Sequence, residues 1–313
     1  MSVRKIIIDT DPGQDDAIAI MFALASPELE VVGITAVAGN VPLHLTEMNA
    51  RKVCELAGRP DVPGFAGASR PLVRPLVTAE YVHGATGLNG PELPEPTMPL
   101  QDQHAVDFII DTIRNAPDAD ITLCPLGPLT NIALAMNKAP DIVPKIREII
   151  LMGGGCFEGG NVTPAAEFNI YVDPHAADVV FRAGVPLVVL PLDVTHQCLT
   201  TAKRIAAFRA LETNCGTATA EMMDFFERFD EKKYGTDGGP LHDPNVIAYL
   251  LQPDLFETRH VNIEIETMSD LTLGMTVVDW WGVTDRAKNA TYCRHVDHEG
   301  FFDLLLERYK SLP

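Results

Sequence analysis

The sequence is poor in positive charge and has no paired cysteine motifs. Lys and Arg number 24 against 43 Asp and Glu, which gives a net charge of −19. Such a chain repels the phosphates of nucleic acids, so a nucleic-acid partner is excluded. The six cysteines form no C-x-x-C pair, which argues against zinc and against a disulfide framework.

Long apolar runs are absent as well. None approaches the roughly 20 residues that span a bilayer, so we expect a soluble protein with no membrane partner. Residues 1–5 lead directly into a strand and lack the apolar stretch of a signal peptide. We therefore expect the protein in the cytoplasm, where the cysteines stay reduced and serve as packing residues.

Four aspartates crowd one strand-to-helix turn near the N-terminus. An apolar strand leads into the turn, an apolar helical pattern follows it, and the four are Asp9, Asp11, Asp15 and Asp16. Two unit charges about 4 Å apart repel by about 4 kcal/mol at an effective dielectric near ~20, and the turn contains no Lys or Arg. Hard oxygen ligands suit Ca²⁺ or Mg²⁺, so the turn is predicted to bind a metal.

Other interpretations of this turn account for less of it. Capping of the following helix explains only two of the four acids. An EF-hand loop counted from Asp9 places Gly13 at the fifth position and Ile20 at the twelfth, which excludes that motif. A Mg²⁺-dependent phosphohydrolase with Asp9 as nucleophile and Asp11 as acid/base stays open, although Gly13 departs from its pattern.

Strand-like and helix-like runs alternate along the chain. Strands are predicted at Lys5–Asp9, Glu30–Ala38, Asp120–Pro125, Glu148–Met152 and Pro186–Leu190, and helices at Asp15–Ala25, His44–Leu56, His104–Asn115, Leu129–Lys138 and Pro174–Arg182. This alternation predicts an α/β fold: a single domain over residues 1–313 with a mostly parallel, doubly wound sheet and a Rossmann-like core. A β-hairpin, Val261–Thr267 with Leu271–Val278, and a helix, His298–Tyr309, are predicted to close the chain.

Candidate site residues follow the predicted strands. Asn40, Leu126, Met152 and Asp193 each stand where a strand ends, as do the aspartates of the first turn. The carboxyl ends of parallel strands meet at one edge of a sheet, where ligand sites tend to form. One site at this edge is therefore expected.

The turn Asp-Thr-Asp-Pro-Gly-Gln-Asp-Asp at 9–16 resembles the N-terminal signature of the inosine-uridine-type nucleoside hydrolases. Further segments are similar to the family's motifs in order and spacing: Val37–Asn40, His83–Leu88, Pro125–Asn131, Leu151–Gly154, Ala166–Asn169 and His242–Pro244. The resemblance covers nearly the whole chain. It implies Ca²⁺-dependent hydrolysis of ribonucleosides of the uridine, inosine and cytidine class to base and ribose, by a homodimer or homotetramer.

The resemblance also assigns the metal and the chemistry. The Ca²⁺ ligands would be the side chains of Asp11, Asp16 and Asp243 and the backbone carbonyl of Leu126, where other members often carry Thr. Asp11 would double as the base that activates a Ca²⁺-bound water. His242 would donate a proton to the departing base, because imidazole titrates near neutral pH.

Ribose recognition is implied for five polar residues: Asp15 and Asn40 at the 2′- and 3′-hydroxyls, and Asn161, Glu167 and Asn169 on the 3′- and 5′-hydroxyl side. Glu167 and Asn169 are two apart, so in an extended segment both would face one sugar, with Phe168 turned away or packing nearby. The other predicted substrate contacts are His83, Met152, Phe168 and Tyr234, the last as part of a lid.

Base preference would be set by loops near 77–84 and 222–242. His83 and His242 favour the broad or pyrimidine-type members over the purine-specific ones that rely on stacked tryptophans. Trp280 and Trp281 follow a predicted strand, so we expect one ring to pack in the core or at a subunit contact and the other to be partly exposed. A non-catalytic nucleoside-binding protein, which would bind ligand without releasing sugar, is the remaining alternative.

Overall fold

A ten-stranded sheet forms the centre of the computed structural model, which describes residues 3–234 and 237–313, with side chains described outside 226–236. The strands are β1 (Arg4–Thr10), β2 (Leu29–Ala36), β3 (Gly64–Ala66), β4 (Leu100–Gln101), β5 (Ile121–Pro125), β6 (Glu148–Met152), β7 (Leu187–Leu190), β8 (Phe256–Ile265), β9 (Thr276–Asp279) and β10 (Ala290–Val296). Their spatial order is β4-β3-β2-β1-β5-β6-β7-β10-β8-β9.

In the described part of the chain, twelve helices accompany the strands. They are α1 (Gln14–Leu24), α2 (Leu43–Leu56), α3 (Glu80–His83), α4 (Ala105–Asn115), α5 (Thr130–Lys138), α6 (Phe168–Val172), α7 (Pro174–Phe181), α8 (Leu192–Thr195), α9 (Ala202–Arg209), α10 (Asn214–Tyr234), α11 (Pro244–Leu251) and α12 (His298–Tyr309). Short 3₁₀ turns lie at Pro140–Lys145 and Pro253–Leu255. Within the described residues, every helix is too short or too polar to cross a bilayer.

The sheet is mostly parallel and is covered on both faces. Strands β1 to β7 run parallel to one another, β10 runs parallel to β7, and β8 runs antiparallel to both β10 and β9. Side chains of β1 alternate between two cores, because Ile6 and Ile8 pack with α1, α2, α11 and α12, whereas Ile7 packs with α4, α5 and α7. The predicted single-domain, doubly wound α/β fold is confirmed.

Strand β1 lies in the middle of the sheet, with β2 on one side and β5 on the other, so the strand order reverses at this point. This is the switch point of the sheet, outside which a crevice forms at the carboxyl ends of the strands. Asp11, Asn40 and Leu126 follow β1, β2 and β5 at that crevice. The backbone N–H of Leu126 donates to the carbonyl of Asp9 at 2.7 Å, so the first and third of these strand ends are bonded together.

The C-terminal extension differs from the predicted hairpin. Its first strand begins earlier, at Phe256, and its second begins at Thr276 instead of Leu271, because residues 266–275 form the connection between them. A further strand, β10, joins this pair to β7 and makes the extension part of the main sheet. The closing helix lies at His298–Tyr309 as predicted.

Candidate active site

Three carboxylates meet at the crevice. One oxygen each from Asp15, Asp16 and Asp243 lies within 4.8 Å of the others, and all three residues are buried. Asp15 and Asp16 occupy the first turn of α1, and Asp243 immediately precedes α11. Both helix N-termini therefore direct their partial positive charge towards the acids. In the part of the chain that the structure describes, Asp16 and Asp243 form no salt bridge with Lys or Arg.

Asp16 also caps its own helix. Its Oδ2 accepts from the backbone N–H of Gly13 at 3.0 Å and from Asn40 Nδ2 at 3.2 Å, and its Oδ1 accepts from the Thr10 hydroxyl at 2.5 Å. Capping is thus a true function of this aspartate. Capping does not explain why the acids are grouped, because Asp243, which is distant in sequence, lies beside Asp15 and Asp16.

Asp11, the residue after β1, is completely buried and, unlike Asp15, Asp16 and Asp243, does not line the cavity at the crevice. Its Oδ2 accepts from the backbone N–H of Asn40 at 2.6 Å, and its backbone carbonyl accepts from Asn40 Nδ2 at 3.1 Å. Its Oδ1 has no hydrogen-bond partner in the described structure. A buried carboxylate oxygen without a donor is costly, and it is the kind of atom that a cation satisfies.

Two glycines make the slot that holds this carboxylate. A Cβ on Gly39, after β2, would lie 2.0 Å from Asp11 Oδ2. A Cβ on Gly127, after β5, would lie 2.1 Å from Asp11 Oδ1. Any side chain at either position would collide with the carboxylate, so the two glycine backbones confine it from opposite sides.

The acids of the site disfavour their own ionisation. Burial raises the pKa of Asp16, and burial together with the charge of Asp16 raises that of Asp11 well above its ordinary value. Burial, followed by the charges of Asp15, Asp16 and Asp11, does the same to the pKa of Asp243. A divalent cation would remove this repulsion, and the oxygen donors present are those that hard cations prefer. The site therefore fits a metal such as Ca²⁺.

Glu167 and Asn169 form the opposite wall, although not through an extended segment. Glu167 stands before α6, and its carboxylate accepts from the N–H groups of Gly154, Asn169 and Ile170 at 2.9, 2.9 and 3.2 Å. The predicted strand-like arrangement is wrong, because this capping turns the following residues into a helix. Burial raises the pKa of Glu167 to about 7.

Asn169 ties this wall to the strand ends. Its Nδ2 donates to the carbonyl of Leu126 at 2.7 Å and to the carbonyl of Met152 at 3.3 Å. Asn161 Oδ1 accepts from the backbone N–H of Phe168 at 2.9 Å, which brings the Gly-rich loop onto the start of α6. Phe168 lines the cavity as well, so of its two predicted placements, turned away or packing nearby, the second is the one observed.

Two histidines contribute to the remaining wall. His83 ends α3, and its Nδ1 lies 2.6 Å from Gln14 Oε1. The amide nitrogen of Gln14 already donates to the carbonyls of His83 and Asn89, so Oε1 is the acceptor and His83 Nδ1 carries the proton. Burial lowers the pKa of His83 to about 4, which keeps the ring neutral. His242 Nδ1 lies 2.7 Å from the Thr195 hydroxyl.

These groups line one cavity that opens to solvent. Twelve of the predicted residues line it, namely Asp15, Asp16, Asn40, His83, Leu126, Met152, Asn161, Glu167, Phe168, Asn169, His242 and Asp243. Tyr234 is outside the described side chains, so the lid stays a prediction.

Sequence reasoning missed four lining residues: Ala79, Tyr81, Val82 and Val162. Three of them belong to or adjoin α3, within the 77–84 region assigned to base recognition but not placed there residue by residue. The short helix α3 carried no periodicity from which its cavity-facing side could be found. Tyr81 is largely exposed and stands at the cavity mouth.

Asp9, the nucleophile of the phosphohydrolase alternative, faces away from the cavity. It is completely buried, and its Oδ1 accepts from the Thr35 hydroxyl at 2.6 Å and from Asn131 Nδ2 at 2.8 Å. Burial raises the pKa of Asp9 to about 7. A carboxylate held this way cannot reach a phosphate ester in the crevice.

Both tryptophans lie outside the cavity lining. Trp280 packs edge-on against Phe157 and Tyr292, and Trp281 is 76% exposed. This confirms the expected division between one packed and one exposed ring. The cysteines, five buried and one half-buried, are all free thiols, as expected.

The family model described as "Inosine-uridine preferring nucleoside hydrolase" matches residues 6–303. The chain belongs to the inosine-uridine preferring nucleoside hydrolase family. As a nucleoside hydrolase it is an enzyme.

Its relatives cover the chain from end to end. An uncharacterized protein of Schizosaccharomyces pombe is 54% identical over 99% of this chain and 100% of the relative. The pyrimidine-specific ribonucleoside hydrolase RihA of Salmonella enteritidis is 48% identical over 97% of each chain. Among solved structures, the purine-preferring ribonucleoside hydrolase from Gardnerella vaginalis superposes with a TM-score of 0.92, at 36% identity over 98% of each chain.

Proposed function

We propose that this nucleoside hydrolase cleaves the N-glycosidic bond of ribonucleosides, pyrimidine nucleosides included, to free base and ribose, with Ca²⁺ as its cofactor. One observation carries the proposal. A buried group of three carboxylates, those of Asp15, Asp16 and Asp243, lines the same cavity as Glu167 and Asn169. The three carboxylates suit a cation, and the side chains of Glu167 and Asn169 suit sugar hydroxyls.

Asp11, Asp16, Asp243 and the carbonyl of Leu126 would hold the cation, with Asp15 beside them. When bound, Ca²⁺ would draw ribose hydroxyls to the site and make a nearby water more acidic. The partnerless Asp11 Oδ1 and the mutual repulsion of the acids support this assignment. The preference for oxygen ligands favours Ca²⁺ over softer metals.

Asp11 would act as the general base. Its Oδ2 is engaged by the N–H of Asn40, so Oδ1 is the atom left to take the proton from the attacking water. As the glycosidic bond breaks, the sugar gains oxocarbenium character. The carboxylates of Asp15 and Glu167 line the cavity and would stabilise that positive charge electrostatically.

His242 would donate the proton that the departing base requires. Its Nδ1 is engaged by the hydroxyl of Thr195, which orients the ring against the cavity. His83, fixed as a neutral Nδ1–H ring by Gln14, would contact the base or the 5′ end. Imidazole groups suit the proton transfer that an unactivated pyrimidine or purine leaving group needs.

Pyrimidine nucleosides are the expected class for two reasons. The two histidines lie in the cavity and the two tryptophans do not, and the relative RihA, 48% identical, is named as pyrimidine-specific. Uridine, cytidine, inosine and adenosine should be compared by release of reducing sugar, with p-nitrophenyl phosphate as a phosphatase control. Turnover restricted to purine nucleosides would refute the pyrimidine assignment, and binding without sugar release would indicate a nucleoside-binding protein.

The role of His242 has its own test. His242→Ala should slow uridine, whose base needs a proton to leave, and should spare an aryl riboside with an activated leaving group. Equal losses on both substrates would contradict proton donation. A homodimer or homotetramer also stays a prediction, which the mass of the purified protein in solution would check.

A further inference from the structure

We propose that Asp193 and Tyr292 are positioning residues that hold the loop of residues 153–162 against the cavity, so that Asn161 meets the ribose. The inference rests on the proposed function, because it takes Asn161 to contact the 3′- and 5′-hydroxyl side of the sugar. Neither Asp193 nor Tyr292 lines the cavity, so both would act through the loop.

Asp193, in the short helix α8 after β7, binds the loop backbone at three successive residues. Its Oδ2 accepts from the N–H of Cys156 at 2.8 Å, and its Oδ1 accepts from the N–H groups of Phe157 and Glu158 at 2.6 and 2.8 Å. Hydrogen bonds to an ionised acceptor are about twice as strong as neutral ones. Asp193 is 6% exposed, so little water competes for these bonds.

Tyr292, on β10, holds Asp193 in turn. Its hydroxyl donates to Asp193 Oδ2, and the whole side chain is buried. Burial and the charge of Asp193 raise the pKa of Tyr292 well above its ordinary value, so it remains a donor. The contact fixes the direction in which the Asp193 carboxylate points towards the loop.

The C-terminal strands grip the same loop at two other points. Thr276, on β9, accepts from the N–H of Gly155 at 2.9 Å and donates to its carbonyl at 2.6 Å. The guanidinium carbon of Arg294, on β10, lies 3.9 Å from the centre of the Phe157 ring, and Trp280 packs edge-on against the same ring. The extension β8–β10 thus contacts the loop of residues 153–162 and holds it in place.

The held loop has one polar side chain at the cavity. Asn161 lines it, and its Oδ1 accepts from the N–H of Phe168, the residue between Glu167 and Asn169. A shift of the loop would therefore move Asn161 relative to the wall that faces the sugar. Misplacement of about 1 Å at a substrate-positioning group can cost up to about a hundredfold in rate.

The experiment is a double-mutant cycle between Tyr292→Phe and Asn161→Ala, read as kcat and KM for uridine or whichever ribonucleoside the wild type hydrolyses best. Tyr292→Phe keeps the ring and removes only the hydroxyl. We expect it to lower kcat/KM about fivefold, mainly by raising KM, which is the effect of one ordinary hydrogen bond. In the Asn161→Ala background the same change should have no further effect, because the loop then presents no polar side chain to the ribose.

The control is Tyr309→Phe, which removes another fully buried phenol hydroxyl, bonded to the carbonyl of Ile18 at 3.1 Å. It should lower Tm as Tyr292→Phe does and leave KM unchanged. Asp193→Asn should exceed Tyr292→Phe in effect, and if it does not fold, Tyr292→Phe decides alone. Equal losses in both backgrounds, or none in the wild type, would overturn the inference. A wild type that hydrolyses no nucleoside would instead overturn the proposed function.

Discussion

Substitution of Gly127 by alanine tests the position of Asp11 without touching its chemistry. The added Cβ would stand 2.1 Å from Asp11 Oδ1 and 2.8 Å from its Cγ. A shift of the carboxylate is opposed on the other side by Gly39 and by the N–H of Asn40, which holds Oδ2 at 2.6 Å, so it breaks contacts that position Asp11. Ordinary contacts between such atoms lie near ~3.5–4.0 Å, so Asp11 must move by about 1 Å or more.

Two effects of known size follow from that displacement. Overfilling a packed interior costs about 1–3 kcal/mol in the free energy of unfolding, which lowers Tm by a few degrees. Misplacing a catalytic group by about 1 Å costs about a hundredfold in rate. Because Asp11 is proposed both to bind Ca²⁺ and to take a proton, kcat and Ca²⁺ affinity should fall together in Gly127→Ala.

The matched control is Gly64→Ala on β3, where the nearest atom to the added Cβ is Arg51 Cγ at 3.5 Å, an ordinary contact. Steady-state kinetics on a nucleoside, calorimetric Ca²⁺ titration and thermal unfolding should be measured on both variants. Gly64→Ala should match the wild type in kcat and in Ca²⁺ affinity. If Gly127→Ala folds and retains wild-type kcat and Ca²⁺ affinity, the assignment of Asp11 is refuted.

Three further predictions follow from the buried acids. Asp9→Asn should keep kcat within about tenfold, because its contacts to Thr35 and Asn131 need only one acceptor oxygen, whereas a nucleophile would lose all activity. Asp243→Asn should abolish Ca²⁺ binding. It should also raise the Tm of the protein measured in chelator, because a carboxyl group with a raised pKa destabilises the folded state once it is ionised. A lower Tm in chelator would contradict this. Calorimetric Ca²⁺ affinity of the wild type should weaken as the pH is lowered, because protons compete at acids with raised pKa values, and a constant affinity would count against the site.

The alternating core of the fold could be predicted from the sequence because its strands are long enough to show it. β5 and β6 lie within a residue of their predicted bounds, and α12 begins and ends as expected. β3 and β4 have three and two residues, too few for any periodic pattern to appear. They are strands because neighbouring strands pair with them.

The site divides in the same way. The sequence identified Asp15, Asp16 and Asn40 because each lies in a family motif that follows β1 or β2. Asp243 could be placed with them only through the resemblance, since nothing local indicates that α11 packs beside α1. The acidic half of the site can therefore be predicted from the sequence, except for Asp243, whose place follows only from the family resemblance.

Contacts between distant segments account for what was missed. Glu167 was expected in an extended segment, but its carboxylate accepts three backbone N–H groups and starts α6. Asp193 was noted only as a strand-end residue, and its bond to Tyr292 joins residues 99 positions apart. Such partnerships depend on how the sheet is ordered, which no local pattern specifies.

The most direct measurement is ribose release from uridine, cytidine, inosine and adenosine by chelator-treated protein, before and after adding Ca²⁺ or Mg²⁺. The account predicts little release without metal, recovery with Ca²⁺, and turnover that includes uridine. Full activity in the chelated protein, at a concentration of chelator that removes bound Ca²⁺, would contradict the proposed metal site. No sugar release from any of the four under any condition would contradict the proposed reaction itself.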